Sequence, residues 1–582
     1  MLKGKVYMSA AAMITSLGEG VQRNMDAVLR GESGVELCTD PRVTQSSVMA
    51  GIIPEAVYTA LRAKYGEEYT RAELLAAECV KNVLADAPDG RTMMMIASAK
   101  GNVSLLEGRC GECPRVPADD DPLLFGQMAS RIGAMTGFPA AHIRVISNAC
   151  ISGVSAIVIA RRMILSGVCD NAVVVGVDTQ NRFITSGFAS FKSLSDEVCR
   201  PYDASRCGLN LGEACGAILL TRNRLSDSDV AISGGAITDD ANHISGPSRT
   251  GDGLYFAMRR AMDEAGVIPQ HLDMLQMHGT ATAYNDEMES KAASLAGLQD
   301  VPAQSLKPYF GHTMGASGVI ETIIAAEELK RGVCAGTAGF SELGVPMPLN
   351  VSAANRELGE NAVRHCLKTA SGFGGTNAAV TLESGGSSDS EVGGLLDIAF
   401  RECREAVIGD GSVKVDGEVV FADENADYHA FIRDSFKAGG GQNMKFYKMD
   451  DFCKLAYVAA DRLLEGIDFG EEECGMVLSG RYGCLDTDMK HQQIIDSEGD
   501  AGASPAVFVY TLPNVAAGEV SIRHHIKGEN TWFWSDDRQM RDIRQYAGLM
   551  MAAQDLKYCM IGYFDCIVGK YEAVFKLLER QN

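Results

Sequence analysis

Short apolar runs that stop at glycine alternate with longer stretches of helical period along the first two thirds of the chain. The runs Thr92–Ile96, Ala172–Val177, Ala217–Leu220, Val230–Ser233 and Leu272–Met277 are continuously apolar or nearly so, as in strands buried on both faces. Between them, Ala72–Ala85, Gly153–Leu165 and Gly253–Ala265 predict helices. Alternation of this kind implies sheets covered by helices. The segment from Met1 to about Ser384 therefore predicts a large multilayer α/β unit.

The pattern then breaks. Gly385-Gly386-Ser387-Ser388-Asp389-Ser390 is small and polar, which predicts a linker over residues 385–391. Residues 392–582 resume an α/β pattern and repeat an order already met. RTMMMIASAKGNVSLLE and ECGMVLSGRYGCLDTDM each give a strand, a glycine turn and an acidic helix start. QMASRIGAMTGFPAAHIRVISNACISGVSAIVIARRMILSGVCDNAVVVGVD and NVAAGEVSIRHHIKGENTWFWSDDRQMRDIRQYAGLMMAAQDLKYCMIGYFD each run helix, glycine-containing loop, strand, helix, strand ending in Asp. Few residues are shared but the order is kept, so residues 392–582 are expected to duplicate the first half of the preceding unit.

The chain has 582 residues and a net charge of -23, more than half of it in the last part. The length suits three to four domain equivalents. The acidity argues against a broad nucleic-acid-binding surface, and 46% hydrophobic residues exclude a wholly disordered chain. No run is long and apolar enough to span a bilayer, and no signal-peptide cleavage site is evident, so a cytoplasmic location is expected. The 17 cysteines are scattered, as small buried hydrophobes are. Cys110 and Cys113, in RCGECP, form the one close pair; a redox role or half a zinc site stays open beside the plain structural reading.

Cys150, in VISNACISGVSAIVIARRM, follows an apolar strand and precedes a helix. A thiol at a helix N-terminus is favoured as the nucleophilic thiolate. His278, in LQMHGTATAYNDEMES, ends an apolar strand. His312, in SLKPYFGHTMGASGVIE, lies between glycines just after Lys307. The turn Ser371-Gly372-Phe373-Gly374-Gly375-Thr376-Asn377 can aim a backbone N–H at an oxyanion. Together these make a constellation for nucleophilic acyl transfer.

The motifs NAC at Cys150, PYDASRCGLNLGEA at Pro201–Ala214, HGTATAYNDEME at His278–Glu289, KPYFGHTMGASG at Lys307–Gly318 and GFGGTN at Gly372–Asn377 resemble, in order, those of the elongating β-ketoacyl-acyl-carrier-protein synthases. The resemblance covers almost all of residues 1–384. It implies the thiolase fold, a layered αβαβα arrangement with halves at about 1–245 and 246–384. It also implies that Cys150 takes the acyl chain and that His278 and His312 assist decarboxylation of a malonyl thioester. The Cys150 and Phe373 N–H groups would hold the oxyanion, with Phe373 also gating the acyl pocket. Lys307 and Glu289 would form a supporting charge pair. Thr280, Thr282 and Gly374 would border the pantetheine-borne substrate. A histidine pair with an upstream lysine separates this type from thiolases and initiating synthases. GEA at Gly212–Ala214 and TAYND around Asp286 depart from the commonest forms and imply a shift of subfamily and substrate; beside ordinary fatty-acid elongation, the TATAYND variant and the fused half-domain resemble accessory synthases of polyene- or pigment-type lipid pathways.

The resemblance implies an acyl carrier protein as partner, with phosphopantetheine arriving on it and no resident metal or cofactor. Arg71, Arg161 and Arg162 are candidate contacts for that acidic partner. Residues 392–582 resemble only the N-terminal half of a ketosynthase. The place of Cys150 falls there near Ser535-Asp536-Asp537, so this half-thiolase-like part reads as degenerate and non-catalytic. It would pack on the catalytic part as a pseudo-dimer partner, the alternative being a homodimer. A scaffold or chain-length partner subunit is the rival reading of the whole chain.

Overall fold

A computed structural model describes residues 3–86, 88–109, 115–359, 361–386 and 399–581. Cys110, Cys113 and most of the expected linker lie outside them. The predicted strands are all present: Thr92–Ala97, Asn171–Asp178, Ala214–Thr221, Val230–Asp239 and Met274–Gln276. So are the helices Arg71–Val83, Ser152–Leu165 and Asp252–Ala265.

One strand order occurs three times. In the first copy Val6–Thr15 pairs antiparallel with Ala214–Thr221, which pairs antiparallel with Asn171–Asp178; parallel neighbours Thr92–Ala97 and Ile143–Ile146 follow. In the second, Val230–Asp239, Thr376–Ser384, Arg364–Gly372, Met274–Gln276 and Pro302–Gln304 repeat the order and the directions. In the third, Phe400–Gly409, Lys570–Arg580, Tyr558–Ile567, Cys474–Gly480 and Asn530–Trp534 repeat them again. The boundary between the first two copies falls between Thr221 and Val230. This corrects the expected division at residue 245, because Val230–Asp239 pairs along its length with Thr376–Ser384.

The helix Arg71–Val83 covers the outer face of the first sheet and Asp252–Ala265 the outer face of the second. Ser152–Leu165 and Ser317–Arg331 lie between the sheets, which gives the αβαβα layering. Every residue of Ser152–Leu165 is buried. A Cβ on Gly153 would sit 2.8 Å from the Gly315 oxygen, and one on Gly318 2.4 Å from the Val154 nitrogen. Glycine at both positions lets the helix starts touch, and so brings Cys150 and His312 to one point.

The third copy is joined to the first edge to edge. Phe533 and Trp534 pair antiparallel with Ile146 and Val145. The third copy's inner helix, Arg541–Gln554, packs on Ser152–Leu165. The first and third copies also share a loop device. Asp178 accepts hydrogen bonds from the Ala99 and Lys100 N–H groups and the Ser98 hydroxyl. Asp565 accepts from the N–H groups of Arg481, Tyr482 and Gly483. The Asp common to the two sequences, the last residue of its strand in the first copy and two residues before the end in the third, therefore holds the same turn in each copy.

Candidate active site

Cys150 lies in a tight turn, Ala149–Ile151, between the strand Ile143–Ile146 and the helix Ser152–Leu165. Ala149 takes φ 47°, a left-handed conformation that costs a non-glycine residue about 1 kcal/mol or more. The Cys150 Sγ is 2.9 Å from His312 Nε2. His312 Nδ1 lies 3.2 Å from the Ser317 hydroxyl, and its backbone N–H donates to the Asn210 carbonyl. The His278 ring stands edge-on to His312, with centroids 5.1 Å apart. The backbone N–H dipoles of Phe373 and of Cys150 itself favour negative charge on the sulfur. The glycine turn and the nucleophile loop touch, a Cβ on Gly372 coming within 3.2 Å of the Cys150 nitrogen.

Burial sets the protonation states. It pushes the Cys150 thiol up to about 12, with the Asp178 carboxylate adding to the rise and Lys307 and the two N–H groups opposing it. The resting group is a neutral thiol, which corrects the thiolate expected from helix position alone. Burial, aided by the Lys307 and Lys368 charges, holds His278 and His312 well below the ordinary histidine range. Both rings are neutral at pH 7, so each has one N–H to donate and one nitrogen to accept.

Lys307 does not pair with Glu289, contrary to the expectation. Its ammonium meets Glu321, which also binds Lys368 at 2.6 Å, all three buried. Glu289 instead accepts from the N–H groups of His278 (2.8 Å) and Gly279 (2.7 Å) and from the Tyr202 hydroxyl (3.0 Å). It shapes the histidine loop while Asp286 holds the Thr280 N–H. The one sequence signal for Glu321 was a lone carboxylate in the apolar run VIETIIAA. The Thr280 and Thr282 hydroxyls lie 2.8 Å apart at the head of the helix Ala283–Leu295.

Other expected contacts are placed elsewhere. Arg161 and Arg162 are fully buried, bound to Glu264 (2.7 Å) and Glu529 (2.6 Å). They cannot meet a carrier protein: they sit inward on a helix enclosed between sheets. Arg71 binds Glu55 and lies 4.0 Å over the Tyr58 ring, so it is an anchored structural side chain. Gly374 does not face open substrate space. A Cβ there would sit 2.5 Å from the Asn514 side chain, because the helix Asn514–His524 packs on the turn.

The third copy reaches the site at further points that the sequence did not signal. Phe373 stacks on Phe188, at 6.1 Å, and meets Phe191 at 5.4 Å. Phe508 packs 5.5 Å from Phe188, and a Cβ on Gly187 would lie 2.3 Å from its ring. A cavity of about 350 Å³ opens beside Phe191, lined by His243, Ile244, Lys445, Lys448 and Tyr510 among others. At the place of Cys150 the third copy has Ser535, Asp536 and Asp537, between its strand Asn530–Trp534 and its helix Arg541–Gln554.

Residues 98–226 match the family model described as β-ketoacyl synthase, N-terminal domain, and residues 230–341 the corresponding C-terminal domain. The chain is 27% identical over 427 residues to the 3-oxoacyl-acyl-carrier-protein synthase 2 of Vibrio cholerae, an alignment covering 66% of this chain and 100% of that one. It is 26% identical over 410 residues to the synthase of the same name from Mycobacterium leprae, covering 65% and 96%. Its fold is similar to that of the solved PfaC ketosynthase–chain length factor, with a TM-score of 0.75 and 14% identity over 99% of this chain and 78% of that one. A ketosynthase solved with its chain length factor from Xenorhabdus doucetiae matches 66% of this chain and 98% of its own at a TM-score of 0.56 and 24% identity. The fold likeness to the first of these runs through residues 399–581, beyond the reach of the two family models. Among the described residues no helix is long and apolar enough to cross a membrane.

Proposed function

We propose, from the match of residues 98–226 and 230–341 to the two β-ketoacyl synthase models, that this chain condenses an acyl thioester held on Cys150 with a malonyl thioester carried by an acyl carrier protein. The observation that carries this reading is Cys150 Sγ lying 2.9 Å from a neutral His312, with His278 beside it and two backbone N–H groups at the sulfur.

A neutral thiol attacks a carrier-bound acyl thioester only as its proton leaves. His312 Nε2 takes that proton and delivers it to the departing pantetheine thiolate, so the ring ends neutral. The Cys150 and Phe373 N–H groups hold the tetrahedral oxyanion. The malonyl thioester then enters, and its carbonyl oxygen gains negative charge as CO₂ leaves. N–H donors from His278, and from His312 once its ring has passed to the tautomer with the proton on Nε2, stabilise that charge more in the transition state than in the ground state. The carbanion attacks the Cys150 thioester, forms the new C–C bond and releases the Cys150 sulfur, which recovers a proton. The phosphopantetheine comes with the carrier protein, and no bound metal or cofactor takes part in these steps.

The carrier-borne arm enters by the cavity beside Phe191, where Lys445, Lys448 and His243 face an acidic carrier protein. Residues 399–581 act as a non-catalytic ketosynthase-like partner fused to the enzyme, because a carboxylate or hydroxyl at 535–537 cannot hold the acyl chain as a thioester. With the edge strand Ile143–Ile146 already paired internally, we favour the pseudo-dimer within one chain over a homodimer through that edge. A cytoplasmic setting suits carrier-dependent synthesis.

Two substitutions test the division of labour. Changing His278 to Ala slows CO₂ release from malonyl-carrier protein by about 100-fold or more, and leaves single-turnover acylation of Cys150 within about threefold of the original. His312→Ala slows both steps, since His312 touches the sulfur. Equal loss of both steps in His278→Ala would contradict its role. Phe508 walls the aromatic space next to Phe188, so Phe508→Ala opens room for acyl chain. The ratio of kcat/KM for long over short acyl thioesters then rises by about tenfold or more, the scale on which pockets discriminate methylenes. An unchanged chain-length profile would place the acyl pocket elsewhere.

A further inference from the structure

The two N–H groups at the Cys150 sulfur belong to loops that are each fastened from the third copy. The Trp532 N–H donates to the Asn148 side-chain oxygen at 2.8 Å, and the Ser147 N–H donates to the Trp532 carbonyl at 3.2 Å. These bonds fix the backbone immediately before Cys150. On the other side, the Asn514 side-chain amide donates to the Phe373 carbonyl at 2.8 Å. The next N–H along, that of Gly374, donates to the Ile244 carbonyl at 2.6 Å. The peptide plane joining Phe373 to Gly374 is thus held at both ends, once by each part of the chain.

Asn514 is fully buried at the first position of the helix Asn514–His524. That helix lies hard against the turn: a Cβ on Gly518 would come within 2.5 Å of the Gly374 oxygen. Gly374 and Gly375 take φ of 91° and 80°, so the turn has glycine's freedom on one side of Phe373. A turn this free needs an external tie if the Phe373 N–H is to stay aimed at one point. Preorganised donors are effective because they do not reorient as charge develops.

Building on the proposed ketosynthase reading, we propose that Asn514 is a positioning residue for acyl transfer, supplied by the otherwise inert third copy: it anchors the Phe373 carbonyl and so fixes the residue whose own N–H, in the preceding Gly372–Phe373 peptide, meets the oxyanion on Cys150. Asn514 hydrogen-bonds the Phe373 carbonyl and acts through the Phe373 turn. Its effect falls on the steps that pass through a tetrahedral oxyanion at Cys150. Decarboxylation of malonyl thioester leans on His278 and His312 and is spared.

The test uses the full chain with Asn514→Ala and with Asn514→Asp, which keeps the shape and removes the donor. Two rates are measured on each preparation: single-turnover acylation of Cys150 by acyl-carrier protein, and CO₂ release from malonyl-carrier protein without an acyl donor. Their ratio does not depend on the fraction of folded protein. The expected result is a fall in acylation of about 10- to 100-fold in both variants, somewhat less than deletion of an oxyanion donor, with decarboxylation within about twofold. Acylation at the original rate in Asn514→Asp, or an equal fall in both rates, overturns the proposal. Failure of the unaltered protein to acylate at all would instead sink the ketosynthase reading on which it rests.

Discussion

Changing Cys150 to Ala abolishes the gain of acyl mass on incubation with acyl-carrier protein and lowers condensation by at least about 10⁴-fold, the scale of removing a nucleophile. Fourteen other described cysteines are free and most are buried. The Cys150 sulfur has a histidine nitrogen at 2.9 Å and two backbone N–H dipoles that favour charge on it. Intact mass spectrometry of the two proteins reads the result directly. Acyl mass that persists in Cys150→Ala would move the nucleophile elsewhere; no acylation of either protein with any chain length would favour a scaffold. The protonation state adds a pH signature. With the thiol pushed up to about 12, the thiolate is a small minority at pH 7. The group titrates as an acid, so its reactive form grows as pH rises. Alkylation of Cys150 by iodoacetamide is expected to quicken about tenfold per unit from pH 7 to 10, without a plateau. A plateau near pH 8 would mean that helix position, and not burial, sets its acidity.

The second large effect is structural. Glu529→Ala lowers stability by about 3–5 kcal/mol, because it leaves the fully buried Arg162 guanidinium without its carboxylate. Glu529 also receives the Tyr546 hydroxyl and the Gln554 amide at 2.6 Å, so these donors are stranded with it. Arg162 belongs to the catalytic part and Glu529 to the third copy, so the loss is felt by both. Denaturant melts can follow each part separately. The chain's two tryptophans, Trp532 and Trp534, report on the third copy and its joint with the first, and protection of Cys150 from alkylation reports on the catalytic part. Both midpoints fall together in Glu529→Ala. The double change Arg162→Met with Glu529→Leu is expected to cost less than Glu529→Ala alone, since no buried charge remains. A shift below about 1 kcal/mol, or one confined to the tryptophan signal, would mean that the two parts are not coupled through this pair.

These expectations lie at very different depths in the sequence. The strand Asn171–Asp178 and the helix Ser152–Leu165 were legible because a doubly buried element is apolar along its length. Cys150, His278 and His312 were legible because each sits in a short glycine-bearing motif, the first two just after a strand and His312 just after the short helix Lys307–Phe310. The partners of charged side chains were not. Lys307 faces Glu321 and not Glu289, since Glu321 comes from the helix Ser317–Arg331 while Glu289 is taken up by the His278 and Gly279 N–H groups. Arg162 reads as a surface cation in IARRMIL and is in fact enclosed, because a sheet lies on each side of its helix. Asn514 and Phe508 carry no motif and act only by lying against Phe373 and Phe188.

By itself the sequence determined an α/β chain with one nucleophilic cysteine, two histidines, a glycine turn and a weaker third repeat that lacks the nucleophile. These follow from local patterns: hydrophobic period, glycine placement and short motifs. The tertiary structure decided that the third repeat is bound into the active site's support. It joins Asn530–Trp534 to Ile143–Ile146, sets Asn514 against the Phe373 turn and buries Glu529 against Arg162. It also decided that the nucleophile rests as a thiol, because burial beside Asp178 outweighs the favourable charges nearby. Both depend on which surfaces meet across hundreds of residues, and that is fixed by packing and desolvation rather than by any local pattern in the chain.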